Sequence, residues 1–247
     1  MLAVEVQGLC KRYGDTSAVE HVSLEVRKGE IFGILGPNGA GKTTVVECIA
    51  GLRKPDGGHI RVGDLDPESQ RSMVREILGV QLQDCKLPGR LRVGEAIRLF
   101  SSFYRDPADP EELLSEVGLT DKIQTYFENL SGGERQRLSI ALALAGQPNI
   151  VIFDELTTGL DPRARRLVWK LVESIRSSGA TVLLVTHSME EADQLCDRLA
   201  LIDSGRTVTC DTPANLRATA AQALGRDDST LEDAYMLLTG KKFEVAE

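Results

Sequence analysis

Residues 36 to 44 read Gly36-Pro37-Asn38-Gly39-Ala40-Gly41-Lys42-Thr43-Thr44, and their types and spacing suit one task, the holding of a triphosphate. The apolar stretch Ile31-Phe32-Gly33-Ile34-Leu35 precedes them and a helical pattern follows, the context in which G-x-x-x-x-G-K-[ST] makes a phosphate loop. A triphosphate carries several negative charges. Backbone N–H groups can surround it only where side chains are missing, and Gly36, Gly39 and Gly41 permit that approach. A helix starting near Lys42 adds its positive dipole end. Lys42 can reach the β- and γ-phosphates, and the Thr43 hydroxyl can ligate Mg²⁺.

A second constellation lies at Ile150-Val151-Ile152-Phe153-Asp154-Glu155. Two adjacent carboxylates at the end of a buried strand repel each other and lose hydration, and a bound cation removes that conflict. Asp154 is the expected partner of Mg²⁺, directly or through water. Glu155 is then free to polarise a water aimed at the γ-phosphate, a role worth about 10²–10⁴ in rate.

The third is Leu130-Ser131-Gly132-Gly133-Glu134, ahead of a helical run. Ser131 and Glu134, three apart, form a capping box. That leaves two glycines in the first turn, each costing roughly 1 kcal/mol against alanine. Their bare N–H groups point to a close visitor, and an anion is the natural one.

These groups need a scaffold that brings strand ends together. Alternating or apolar stretches at AVEVQ, VSLEV, IFGIL, HIRV, ILGVQLQ, NIVIF and TVLLVTH read as strands. A helix is expected from Lys42 to about Ala50, closed by Gly51. Asp161 caps a second, with Pro162 at its first position and an apolar face of Leu167, Val168, Leu171, Val172 and Ile175. Ser188 and Glu191 read as a further capping box. Strands alternating with helices predict an α/β fold with a mostly parallel sheet and helices on both faces. His187 follows an apolar strand, at the end where ligands gather in such sheets; a lone histidine is more often structural.

The chain has 247 residues, 42% of them hydrophobic, and a net charge of -8. That fits one large domain, or a core domain with a smaller inserted lobe, allows a sizeable buried core, and argues against a nucleic-acid partner. The five cysteines are scattered with no CxxC pair, which fits reduced thiols rather than a disulfide framework or a zinc site. No apolar run is long enough to cross a bilayer, and the N-terminus lacks a secretory signal's apolar core.

GPNGAGKT, LSGGERQR, IVIFDE, GLD and a histidine after an apolar strand stand in an order that resembles the nucleotide-binding domains of ABC transporters, over residues 3 to about 215. The resemblance implies an α/β P-loop NTPase core of RecA-like type, with an N-terminal antiparallel β subdomain and an inserted helical subdomain at roughly 84–146. Residues 1–215 would form the nucleotide domain and 216–247 a C-terminal helical tail. It implies that Ser131, Gly132 and Gly133 contact ATP held by Lys42 of a second copy or a close relative, so that the working unit is a homodimer or heterodimer. Gln83 matches the glutamine that senses Mg²⁺ and the attacking water, with Gln81 a nearby competitor. His187 takes the switch role on the γ-phosphate, Asp161 belongs to the loop that crosses the dimer interface, and Tyr13 matches the aromatic that stacks on adenine. Glu134 stands where the family usually has glutamine, and Leu156 where it usually has proline. The leucine implies reduced or partner-dependent hydrolysis.

Within the family, LRVGEAIRLFSSFYRDPADPEELLSEVGLTDK and the tail STLEDAYMLLTG resemble the bacterial drug-resistance type of exporter. This implies an ATP-hydrolysing subunit serving separate transmembrane permease subunits, cytoplasmic and peripheral on the inner face of the cell membrane. The alternatives are a soluble ABC ATPase acting on ribosomes or DNA, which usually carries two fused nucleotide domains or a long coiled coil, and a non-hydrolysing regulatory subunit, which would lack catalytic residue types present here.

Overall fold

The computed structural model describes residues 1–82 and 86–242. The chain forms two compact units, Met1–Val74 with Leu183–Glu247, and Arg75–Val182.

The first unit is built on a sheet. Strands β1 (Leu2–Tyr13) and β2 (Thr16–Arg27) pair antiparallel, and β4 (Gly57–Val62) pairs antiparallel with the other side of β1. Val4, Val6 and Leu9 of β1 and Val19, Val22, Leu24 and Val26 of β2 are buried. The phase slip between Val6 and Leu9 coincides with a register shift, at Gly8 with its φ of 57°. Strand β3 (Ile31–Leu35) is buried along its whole length, as the unbroken apolar run demands of an inner parallel strand. It lies parallel to β8 (Arg198–Asp203), from Phe32 opposite Arg198 to Leu35 opposite Leu201. Strand β9 (Arg206–Asp211) runs antiparallel to β8. With β7 (Thr181–Thr186), which crosses the division between the units along the chain, the order is β4-β1-β2-β9-β8-β3-β7.

Helix α1 (Lys42–Ile49) follows β3, buries Val45, Val46, Cys48 and Ile49, and ends at Ala50 ahead of Gly51, whose φ of 68° turns the chain. Helices α7 (Met189–Leu195), α8 (Pro213–Leu224) and α9 (Leu231–Thr239) complete this unit, and α9 opens with a reciprocal box between Thr230 and Asp233.

In the second unit, α2 (Arg71–Ile77), begun in the first, leads into β5 (Leu78–Gln81), which lies parallel to β6 (Ile150–Asp154) with Gln81 opposite Phe153. Between them come α3 (Val93–Ser101), α4 (Pro110–Glu116) and α5 (Gly132–Leu144), with 3-10 turns at Thr120–Lys122 and Phe127–Asn129. Val93, Ile97, Leu113, Leu114, Leu119, Leu138 and Ile140 form the core of this helical part. Helix α6 (Pro162–Ser177) starts as expected at Asp161, whose carboxylate accepts from the N–H groups of Arg163 and Ala164 at 2.9 and 3.0 Å. Its buried stripe is Val168, Leu171, Val172 and Ile175. Leu167, expected on that face, is 46% exposed. The four buried positions follow the i, i+3, i+4, i+7 rule, and Leu167 sits one residue, about 100°, off the stripe.

Candidate nucleotide site

The chain leaves β3 at Leu35 and wraps the loop 36–41 before α1. Gly36 is fixed by packing: a Cβ there would sit 2.1 Å from the carbonyl oxygen of Ile202 on β8. Gly41 caps α1 with a φ of 98°, and a Cβ would meet the Ala18 carbonyl oxygen at 2.4 Å. Gly39 has a φ of 79° with open space around its missing side chain. Thus two glycines let neighbouring strands hold the loop from behind, and the third keeps its outer surface bare. Asn38 and Gly39 are exposed, Pro37 half-buried, and Ala40 buried with its carbonyl accepting from the Gly205 N–H at 3.1 Å.

Lys42 is buried at the head of α1. Its Nζ donates to the carbonyls of Gly36 and Pro37, each at 2.9 Å. The cation therefore lies against the inner edge of the loop. Thr43 is exposed and Thr44 half-buried on the first turn. This cradle of bare amides, one cation and a helix start fits a polyphosphate. In the same unit, His187 follows β7 and is half-buried. Thr186 Oγ1 accepts from the Ser188 N–H at 2.9 Å, and Ser188 Oγ accepts from the Glu191 N–H at 3.2 Å, one arm of the expected box. Tyr13 ends β1 and is 40% exposed. The Arg53 guanidinium and the Lys11 ammonium lie 5.4 and 5.7 Å from its centroid.

In the second unit, β6 is buried throughout and delivers Asp154, 1% exposed, at its end. Glu155 follows with a φ of 53°, a left-handed conformation rare outside glycine and costing of order 1–3 kcal/mol. That kink turns the chain sharply off the strand. Leu156 is fully buried and Thr157 nearly so. Gln83 lies outside the described residues. Its competitor Gln81 is buried in β5, with Nε2 donating to the Leu82 carbonyl at 2.7 Å.

At the start of α5, Ser131 and Glu134 make the predicted box. Ser131 Oγ accepts from the Glu134 N–H at 3.3 Å, and Glu134 Oε2 accepts from the Ser131 N–H at 2.8 Å. Glu134 also pairs with Lys122 at 3.1 Å. The Ser131 N–H, with the Lys122 cation behind it, holds this carboxyl below its ordinary range. The glutamate at a position where glutamine is usual therefore has a structural task. Gly132 stands clear, with nothing nearer than 4.0 Å to an added Cβ, whereas at Gly133 a Cβ would press the Ala164 methyl at 3.1 Å. The cap on α6 likewise depresses the Asp161 carboxyl, through the Ala164 and Arg163 N–H groups.

The sequence reading missed the residues that brace the loop from afar, Ala18, Ile202 and Gly205. Their contribution is backbone carbonyl and amide, which no side-chain pattern advertises. It also missed Arg53 over Tyr13, forty positions apart along the chain.

A family model described as "ABC transporter" matches residues 19–158. The chain belongs to the ABC transporter family. It is an ATP-binding, ATP-hydrolysing subunit of that family, with a P-loop NTPase fold of mixed α/β type. Among curated relatives it is 40% identical over 220 residues to a Nod factor export ATP-binding protein of Ralstonia nicotianae, covering 86% of this chain and 68% of that one. It is also 40% identical over 221 residues to a daunorubicin resistance ATP-binding protein of Streptomyces coeruleorubidus, covering 87% and 70%. Among solved structures, an ATP-binding subunit of an ABC transporter superposes with a TM-score of 0.84 at 27% identity, covering 97% of this chain and 100% of that one. An ATP-binding cassette solved as a dimer in a post-hydrolysis state with ADP and Pi gives 0.75 at 28%, covering 85% and 98%. ABC ATP-binding subunits dimerise and work with membrane subunits. No helix among the described residues is long and apolar enough to cross a membrane. The ribosome- or DNA-directed alternative finds no support in these comparisons.

Proposed function

We propose that this ABC subunit powers export of drugs or other hydrophobic or polymeric compounds, as one of two nucleotide domains beneath separate permease subunits on the inner face of the cell membrane. Residues 1–215 act as the nucleotide domain, 84–146 as its helical lobe and 216–247 as a C-terminal tail. The export direction follows the printed roles of the relatives, a Nod factor exporter and a daunorubicin resistance protein.

In this reading Gly36 to Thr44 and Lys42 hold the triphosphate, and Tyr13 carries the adenine. By the family resemblance, Thr43, Asp154 and Gln83 would supply oxygen ligands to Mg²⁺. Among the described residues no cluster of three or more His, Cys, Asp or Glu could hold a metal alone. Magnesium suits such a site, since it takes one or two protein ligands and the rest from phosphate and water. When bound, it neutralises charge on the phosphates. Glu155 orients the attacking water and takes its proton, and His187 steadies the γ-phosphate. Ser131, Gly132 and Gly133 bind the γ-phosphate of the ATP held by the opposite domain, and Asp161 lies at that interface. Closure on ATP and reopening after hydrolysis supply the motion.

The observation that carries the reading is the start of α5, where Gly132 is exposed with open space around its missing side chain and Gly133 follows half-buried, while Ser131 and Glu134 hold the turn. Nothing in the capping box itself requires two glycines. For the permease contact, support comes from Leu99 and Phe103, 47% and 66% exposed on the helical lobe, with Phe103 edge-on to Phe100 at 5.7 Å. The test is a crystal structure of Glu155→Gln grown with MgATP. The expected result is a triphosphate spanning Lys42 of one molecule and Ser131 of its mate; a triphosphate contacted by one chain alone overturns the proposal. Pull-down of the neighbouring membrane protein then names the permease.

A further inference from the structure

The turn between β8 and β9 touches both the phosphate loop and the C-terminal helix. On the loop side, the Ile202 carbonyl oxygen fills the space a side chain at Gly36 would need, and the Gly205 N–H donates to the Ala40 carbonyl at 3.1 Å. The Gly205 carbonyl in turn accepts from the Glu20 N–H at 2.8 Å, next to the Ala18–Val19 segment that backs Gly41 and Gly205. On the tail side, Asp203 collects donors. Tyr235 Oη donates to Oδ1 at 3.0 Å, Ser204 Oγ to Oδ2 at 3.1 Å, and Lys241 Nζ pairs with Oδ2. Tyr235 is the largest fully buried side chain of the described residues, seated on α9 beside buried Leu231 and Ala234.

We propose that Asp203 is a positioning residue for the phosphate loop, through which α9 sets the affinity for ATP. Ile202 and Asp203 end β8, and Ser204 and Gly205, at φ of 48° and 74°, make the tight two-residue turn into β9. A turn so constrained moves as a unit. Its position along β8 decides where the Ile202 carbonyl and the Gly205 amide meet Gly36 and Ala40. A carboxylate tied to a buried tyrosine on one oxygen and to a lysine on the other fixes that position from outside the sheet. Burial alone would push the Asp203 carboxyl up, but the Lys241, Tyr235 and Ser204 donors outweigh it and hold it below the ordinary range. The acceptor is thus charged whenever the protein works, and its bonds are charge-assisted. Packing of α9 alone would have needed no such polar anchor, since a phenylalanine at 235 buries the same ring.

The inference rests on the reading of residues 36–44 as the ATP-binding loop, and the experiment separates the two. Dissociation constants for ATP are measured by calorimetry for the whole chain and for Tyr235→Phe, Asp203→Asn and Lys241→Met, with Lys42→Ala and Ile97→Val as controls. Ile97 is a fully buried core residue of the other unit. Tyr235→Phe and Asp203→Asn should weaken ATP binding by roughly 3- to 10-fold and raise KM, with kcat little changed. Amide hydrogen exchange at Ala40 and its neighbours should quicken. Ile97→Val should lower Tm and leave ATP affinity alone. Unaltered affinity and exchange in Tyr235→Phe and Lys241→Met, whatever their Tm, overturns the proposal and leaves Asp203 as an anchor of the tail. An equal loss of affinity in Ile97→Val overturns it too. Full ATP binding by Lys42→Ala would instead remove the reading of the loop itself.

Discussion

Lys42 Nζ donates to the Gly36 carbonyl oxygen at 2.9 Å, so the cation closes the loop from which its helix starts. A phosphate entering that loop meets an ammonium already aimed inward. Lys42→Met keeps the length of the stem and removes the charge. Hydrogen bonds to charged groups are worth about 1.5–3 kcal/mol, so ATP affinity should fall roughly 10- to 100-fold with the fold intact. Calorimetric titration checks this, and an unchanged Kd would falsify the role of Lys42.

Glu155→Gln should bind ATP and form dimers while turnover falls by about 10²–10⁴. The amide keeps the size and cannot take a proton. Light scattering with and without ATP reads the association, and a coupled phosphate assay reads the rate. Turnover at the parent rate would assign the base elsewhere.

Leu156 is fully buried just after the left-handed Glu155. Proline there presets the backbone but gives up core contact, and it restricts the residue before it. Leu156→Pro should therefore lower stability by about 1–3 kcal/mol and raise basal ATP hydrolysis. Denaturant melts and steady-state rates measure the two effects separately. If basal hydrolysis stays level in a folded variant, the leucine is not what restrains the enzyme.

The Ser131–Glu134 box has a pH signature. Its carboxyl is held below the ordinary value of 4.5, first by the Ser131 N–H. A depressed folded value means a contribution that is complete above the unfolded value and disappears as pH falls through the folded one. The stability difference between the parent chain and Glu134→Gln should be constant near neutrality and shrink below about pH 4.5. Chemical melts at several pH values test it; a gap that widens on acidification contradicts the assignment.

The parts of the site written in short runs were legible. Gly36 to Thr44, Asp154 with Glu155, and Ser131 to Glu134 each announce themselves because the chemistry needs neighbouring residues at fixed spacing. The strands were legible from apolar runs, since β3, β6 and β7 are buried on both faces. What remained hidden depends on distant backbone. That Gly36 is pinned by Ile202, or that Tyr235 meets Asp203, follows from strand register and helix docking. The exposure of Leu167 shows the same limit on a smaller scale, because five apolar residues on a helix do not fit a stripe four positions wide. Why Glu155 turns left-handed was equally invisible, as nothing in its type favours that backbone.

Strand β3 finds its parallel neighbour β8 very late: the Ile31 N–H reaches the Asp197 carboxylate 166 residues downstream at 2.9 Å, and Phe32 then lies opposite Arg198. On a ribosome adding about 5–20 residues per second, the stretch Ile31–Leu35 must wait roughly ten seconds or more before its sheet partner emerges. During that interval the backbone N–H and C=O groups of β3 on this side have no strand to pair with, and its apolar side chains have no finished sheet to bury them. The nascent chain is then most exposed to aggregation, and a chaperone that shields it from the tunnel exit onward should raise the yield of protein able to bind ATP.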